Sequence, residues 1–251
     1  MKQAKQRLDT MLCERGFYES RQKAQAAIMA GEIRINGQLA LKPGTKYPES
    51  IVLEVCSDKD KYVSRGGLKL EKAVDEWTID LQSKICMDIG ASTGGFTDLM
   101  LRRGASFVYA IDVGYGQLDW KLRNDSRVIN IERTNIRYLD RSLITRAPDF
   151  ICIDVSFISL ELVLPVASDI LKETGQIIAL IKPQFEAGRE QVSKGGIIRD
   201  ESVRLSVIEK VRAFAEKNTL LASDVIESPI KGAKGNIEYL MRMQPVTKEA
   251  I

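Results

Sequence analysis

At 251 residues the chain has room for one large domain, or for a small and a medium one, and a 44% hydrophobic share suffices for a packed core. The net charge is only +3 and there is no histidine, which excludes a Ser-His-Asp triad, a Cys-His pair and any histidine-ligated metal centre. Proton transfer near neutral pH therefore falls to Lys, Asp, Glu, Tyr, Cys or water. No apolar run approaches the roughly 20 residues of a membrane-spanning helix, and the opening MKQAKQRLDT is too polar for a secretion signal. Cys13, Cys56, Cys86 and Cys152 show no C-x-x-C spacing and read as free thiols, so a cytoplasmic location is expected, with no metal.

The first segment is the basic one. Residues 1–46 carry nine Lys/Arg against four Asp/Glu, a surplus larger than that of the whole chain, which points to a polyanion as partner. RLDTMLCERG places Leu8, Met11 and Leu12 at helical spacing and stops at Gly16. Ser20 is positioned to cap a second helix that carries Ala24, Ala27 and Ile28 and ends at Gly31. GEIRINGQLA then reads as strand, Asn36-Gly37 turn and strand, followed by another strand over 51–55. In order and spacing, Arg7-Leu8-Asp9, Gly16, Ser20-Arg21, Ala24, Ile28, Gly31 and Ile35-Asn36-Gly37 resemble the S-four RNA-binding domain. The resemblance implies contacts to structured RNA, with Arg7, Arg21, Lys23, Arg34 and Asn36 as candidates.

The domain expected over 1–57 gives way to a linker at 58–64, where SDKDKY is charged and without periodicity. VSRGGLKLEKAVDEW opens a helix with Leu68, Leu70, Ala73 and Val74 on its apolar side. Strands are predicted over 85–87, 107–111, 128–131, 150–153 and 176–181, and helices over 96–103, 159–171 and 200–217. Such alternation predicts an α/β fold, a doubly wound and mainly parallel sheet over 65–244. Runs at 220–226 and 237–243 predict a closing hairpin on the sheet edge, with 245–251 as a tail.

In a sheet of this kind ligands bind at the carboxyl ends of the strands. The residues that end the apolar runs are Asp88 with Gly90, Asp112, Asp154 and Lys182. MDIGASTGGFTD, directly after a strand, is a glycine turn whose backbone can approach a ligand closely. It lacks the lysine of a phosphate loop, and Ser92 breaks the dinucleotide pattern. A carboxylate at Asp88 suits a ligand with an amine end. Asp112 is placed to hold two ribose hydroxyls, which alone does not separate a methyltransferase from a dehydrogenase.

The stretch from Asp88 through Gly90, Ser92, Thr93, Gly94 and Gly95 to Phe96 resembles motif I of S-adenosylmethionine-dependent methyltransferases, and its Gly-Gly-aromatic end resembles FtsJ-like ribose methyltransferases. The resemblance implies a Rossmann-like fold, S-adenosylmethionine as cofactor, and cofactor contacts at these residues with Asp112 and Asp154. It also implies a Lys-Asp-Lys-Glu tetrad, for which Lys69, Asp154, Lys182 and Glu238 stand in the right order. Lys182 beside Lys69 would take the proton of a ribose hydroxyl, with Asp154 and Glu238 holding the two amines. With DVSFISL and KPQFE, nearly the whole chain resembles the TlyA (hemolysin A) family of ribosomal RNA 2′-O-methyltransferases. That implies methylation of cytidine ribose, ribosomal RNA or ribosomal subunits as partner, and neither a membrane nor an obligate protein partner. Rival readings are a noncatalytic RNA-binding scaffold, an NAD-dependent oxidoreductase and a hemolysin. The first predicts damaged catalytic positions, and the second an intact dinucleotide motif. The third would require a spanning helix or barrel pattern.

Overall fold

A computed structural model describes residues 5–29, 33–36, 38–40, 42–55, 62–193, 195–232 and 235–246. Gly31, Gly37, Cys56, most of the expected linker and the tail beyond 246 lie outside the described residues. The chain divides into two compact units, Met1–Lys61 and Tyr62–Ile251.

The first unit contains β1 (Lys5–Arg7), α1 (Leu8–Glu14), α2 (Arg21–Met29), β2 (Ile33–Ile35), β3 (Gln38–Leu39), β4 (Lys46–Pro48) and β5 (Leu53–Val55). Leu8, Leu12, Ala24, Ala27, Ile28 and Ile33 form its core, the helical spacing gathering the first five on facing sides of α1 and α2 while Ile33 comes from β2. Gly16 takes φ +76 just beyond α1, and the Ser20 hydroxyl accepts from the Lys23 amide at the start of α2. The antiparallel pair β2–β3 turns through Asn36 at φ +49, and β5 pairs with the other edge of β2. The antiparallel pair β1–β4 has no counterpart in the sequence reading, since both strands are three residues long and carry no apolar run.

The second unit begins with α3 (Gly66–Glu76), β6 (Ile85–Ile89), α4 (Gly95–Arg102), β7 (Phe107–Ile111), α5 (Trp120–Arg123) and β8 (Val128–Ile131). It continues with β9 (Phe150–Ile153), α6 (Leu164–Ile170), β10 (Gln176–Ile181), α7 (Pro183–Glu186), α8 (Glu201–Lys217), β11 (Leu220–Glu227) and β12 (Tyr239–Pro245). The seven strands lie in the order β11-β12-β10-β9-β6-β7-β8. All neighbours from β10 to β8 are parallel; β12 is antiparallel to β10 and β11. Along β7 the buried residues alternate strictly, Val108 and Ala110 facing one core, Tyr109 and Ile111 the other. Residues of α3 and α4 complete the first core and residues of α6 and α8 the second, which is the doubly wound arrangement.

Two predicted elements differ. The helix expected over 159–171 is a short 3-10 turn at Leu160–Leu162 followed by α6, because Pro165 can join a helix only in its first turn. The final strand starts at Tyr239 rather than Ile237, and β12 lies inside the sheet, leaving β11 at the edge. No helix among the described residues is long and apolar enough to cross a membrane.

The chain leaves β6 toward β7 on one side, while β9 lies on the other, so the strand order reverses beside β6. Gly90 sits at this point with φ +88, and a Cβ on it would lie 2.3 Å from the Asp154 carbonyl oxygen. The glycine is thus needed first for the close approach of two strand ends. Gly90→Ala should lower stability by about 2 kcal/mol or more through the left-handed backbone and the clash. Urea unfolding followed by tryptophan fluorescence checks this, since Trp77 and Trp120 both lie in this unit.

Candidate active site

Beyond the carboxyl ends of β6, β9 and β10 lies a cavity of about 680 Å³. Its wall includes Lys69 from α3, Asp88 and Gly90 from the β6 end, Asp154 after β9, Lys182 after β10 and Glu238 before β12. The four residues predicted from widely separated segments thus meet. The Lys69 ammonium donates to Glu238 Oε2 at 2.6 Å and lies 3.9 Å from Asp154 Oδ2. The Lys182 ammonium is 2.6 Å from Asp154 Oδ1 and donates to Ser156 Oγ at 2.8 Å. Asp154 therefore stands between the two lysines, one oxygen toward each. Both lysines are only 9% exposed and Glu238 3%, so each charge depends on its partner for the solvation that water no longer supplies. Gly232 makes room for the chain: a Cβ there would lie 2.3 Å from Glu238 Oε1.

Asp88 is buried on the face of the sheet covered by α4. Its Oδ2 accepts from the Thr97 amide at 2.9 Å and the Thr97 hydroxyl at 2.7 Å. Its Oδ1 is buried without a hydrogen-bond partner, in a residue that lines the cavity. Burial, with the charge of Asp154 adding, pushes the Asp88 carboxyl up to about 7 against the opposing bonds from Thr97. An unpartnered carboxylate oxygen at a cavity wall is matched by an amine or ammonium group.

A second cavity, of about 730 Å³, shares Gly90, Ser92, Asp154, Ser156 and Phe157 with the first. Asp112 lines it and also organises it, with Oδ2 accepting from the Ser92 amide and Oδ1 from the Gly114 amide, both at 2.7 Å. Ser92 holds φ +48, a left-handed conformation that favours glycine, and these bonds together with Ser92 Oγ to Gln117 at 3.2 Å retain it there. Thr93, Gly95 and Phe96 line the first cavity, and Phe96 is nearly buried. Gly94 instead packs against protein, since a Cβ on it would meet Leu122 and Leu118.

Sequence reasoning missed several residues. Ser156, which accepts from Lys182, stands in the DVSF stretch, where spacing alone gives no reason to single it out. Asn236 donates to the Gly196 carbonyl and accepts from the Ile198 amide, fastening two loops beside Glu238. Asn135 and Ile136 line the second cavity in the loop after β8, where uncharged side chains give no signal of a site. In the first unit, Arg7 and Arg21 both bond to Asp9, Lys23 pairs with Glu19, and Arg34 and Asn36 are exposed.

The doubly wound sheet, the glycine turn at its switch point and the lysine–carboxylate chain define a methyltransferase of the Rossmann-like class. Residues 62–244 match the FtsJ-like methyltransferase family, and residues 6–50 match the S4 domain. The chain belongs to the TlyA (hemolysin A) family of FtsJ-like methyltransferases. It is 42% identical over 246 residues to the 16S/23S rRNA (cytidine-2′-O)-methyltransferase TlyA of Mycobacterium tuberculosis, covering 98% of this chain and 92% of that one. Hemolysin A of Brachyspira hyodysenteriae is 46% identical over 241 residues, covering 93% and 98%. A solved structure from Streptococcus thermophilus, provisionally named a hemolysin, shares 47% identity at a TM-score of 0.77, covering 96% and 88%. A solved structure from Listeria monocytogenes, provisionally named an S-adenosylmethionine-dependent methyltransferase, shares the fold at 18% identity and a TM-score of 0.54, covering 72% of this chain and 99% of that one.

Between about pH 4 and pH 7 the folded chain keeps a proton on Asp88 that the unfolded chain has released, so this residue lowers stability as pH rises through that window. Asp88→Asn removes the effect, and the variant should gain stability relative to the parent between pH 5 and pH 7.5. Parallel pH curves in urea unfolding would contradict it.

Proposed function

We propose that the chain is an S-adenosylmethionine-dependent methyltransferase acting on the 2′-hydroxyl of cytidine in ribosomal RNA, in the cytoplasm. The observation that carries the reading is the buried chain Glu238–Lys69–Asp154–Lys182 in the wall of the cavity that the glycine turn also lines. The named activity of the M. tuberculosis relative, at 42% identity over 98% of the chain, supports the same substrate class.

The residues present fit the cofactor. The unpartnered Asp88 Oδ1 suits its amino-acid end, and Asp112 retains acceptor capacity for ribose hydroxyls beside the Ser92 and Gly114 amides. When bound, S-adenosylmethionine supplies an electrophilic methyl group on a sulfonium. The protein's task is then to present a ribose hydroxyl as a nucleophile. Such a hydroxyl is a weak acid, so a group at the oxygen must accept the proton or stabilise the negative charge that develops. Lys182 is proposed for that role, held by Asp154 and Ser156. Lys69, anchored by Glu238, holds the far oxygen of Asp154 and so fixes the carboxylate that orients Lys182. The basic first unit supplies contacts to RNA phosphates, with Arg7, Arg21, Lys23, Arg34 and Asn36 as its candidates.

Lys182→Arg tests the assignment. Arginine keeps the positive charge but holds its proton throughout the accessible pH range. The variant should bind S-adenosylmethionine with parental affinity in isothermal titration, yet transfer methyl groups at least about 100-fold more slowly, within the range of general-base contributions. Near-parental turnover would leave charge alone as the role of Lys182. Titration with NAD in the same experiment should give no heat; binding of NAD in place of S-adenosylmethionine would move the chain to the oxidoreductase reading.

A further inference from the structure

Asp9 lies in the first turn of α1 and is fully buried, a carboxylate on a helix whose other buried residues, Leu8, Met11 and Leu12, are apolar. Both of its oxygens are occupied. Arg7 forks onto it, Nε 3.0 Å from Oδ1 and Nη2 2.8 Å from Oδ2. Arg21 Nη2 reaches Oδ2 at 3.2 Å, Gln25 Nε2 reaches Oδ2 at 2.7 Å, and the Thr10 amide reaches Oδ1 at 2.9 Å. The bond from Arg7 holds the Asp9 carboxyl well below the usual carboxylate range, with Gln25 and Arg21 adding, so it stays ionised.

Two guanidiniums against one carboxylate leave a net positive charge, and it is presented outward. The Arg7 and Arg21 side chains remain 43% and 56% exposed although their shared acceptor is fully covered. Among the described residues the Arg21 side chain bonds only through Nη2 to Asp9, and more than half of it is exposed. Lys46 lies opposite Arg7 in the β1–β4 register and is exposed, which adds a third cation to the same edge. A buried ion cluster is a poor means of joining β1 to α2, because apolar side chains of similar volume do so equally well. What a carboxylate supplies and a leucine cannot is a fixed orientation for two guanidiniums.

We propose that Asp9 is a positioning residue for RNA binding, holding Arg7 and Arg21 as a preformed cradle for a backbone phosphate. The proposal rests on the RNA-binding reading of the first unit. Arginines ordered in advance lose less side-chain freedom when the phosphate arrives, and the planar fork of each can meet its oxygens directly.

The competing account makes the opposite prediction for Asp9→Asn in the full chain. If the arginines act only as diffuse charge, removing a negative group beside them tightens RNA binding. If Asp9 positions them, binding of purified ribosomal RNA should weaken by about tenfold. The slope of log affinity against log salt should also become shallower, by about 0.9 for each phosphate that is no longer neutralised. Cofactor affinity should not change, and hydrogen exchange at the α1 and α2 amides reports whether the unit remains folded. Equal or tighter RNA binding by folded Asp9→Asn overturns the proposal. Should that variant lose amide protection, Arg21→Lys decides: it keeps the charge and the Arg7–Asp9 fork but not the second guanidinium. Several-fold weaker binding at a shallower slope supports the cradle, and parental binding overturns it. Parental protein that shows no salt-dependent affinity for ribosomal RNA overturns the RNA reading itself, and the cradle with it.

Discussion

The Asp154 carboxylate is the group on which the site depends. Two lysines are buried at the end of a parallel sheet, and neither can stay charged there without a counterion at close range. Asp154 faces both, 2.6 Å from Lys182 and 3.9 Å from Lys69, while Glu238 completes the second pair at 2.6 Å. Its position follows from the sheet: β9 lies between β6 and β10, so the residue after β9 is flanked by the ends of both neighbours. Gly90 fixes the remaining freedom, because only a residue without a Cβ lets the turn after β6 rest against the Asp154 carbonyl. The arrangement is therefore a consequence of strand order and one glycine as much as of four charged side chains.

The two cavities adjoin along shared residues. Asp88 and the lysine–carboxylate chain border the first, Asp112 borders the second, and Gly90 and Ser92 border both. An elongated ligand with an amine at one end and a ribose at the other is matched by that sequence of groups. Asp88 carries one further constraint. A carboxyl with one oxygen bound by Thr97 and the other buried without a partner is poorly accommodated as an anion until a cation arrives, which explains its high proton affinity.

Much of the fold was legible in the sequence, for identifiable reasons. The inner parallel strands β6, β7, β9 and β10 are buried on both faces, so they read as apolar runs ended by polar residues, and those polar residues line the candidate site. The helix ends in the first unit were marked by Ser20 and Gly16, each of which does in the structure what its side chain or its lack of one predicts. The pair β1–β4 was not legible, because Lys5–Arg7 and Lys46–Pro48 carry no pattern apart from the partner each finds. Pro165 marks the split before α6, although apolar residues recur on both sides of it. Within the site, the order of Lys69, Asp154, Lys182 and Glu238 was readable by resemblance, whereas the interposition of Asp154 between the lysines is a tertiary fact. Ser156, Thr97 and Asn236 were invisible for the same reason: hydroxyls and amides become informative only once their acceptors are in place.

A buried lysine–carboxylate chain and a basic S4 unit share one polypeptide, and the proposed reaction turns on which atom receives the methyl group. The most direct measurement incubates the full chain with ribosomal subunits, and separately with purified ribosomal RNA, in the presence of methyl-labelled S-adenosylmethionine. The RNA is then digested to nucleosides and the label assigned. The account predicts label in 2′-O-methylcytidine and in no base-methylated nucleoside. Label on a base, or none despite measured cofactor binding, would contradict it.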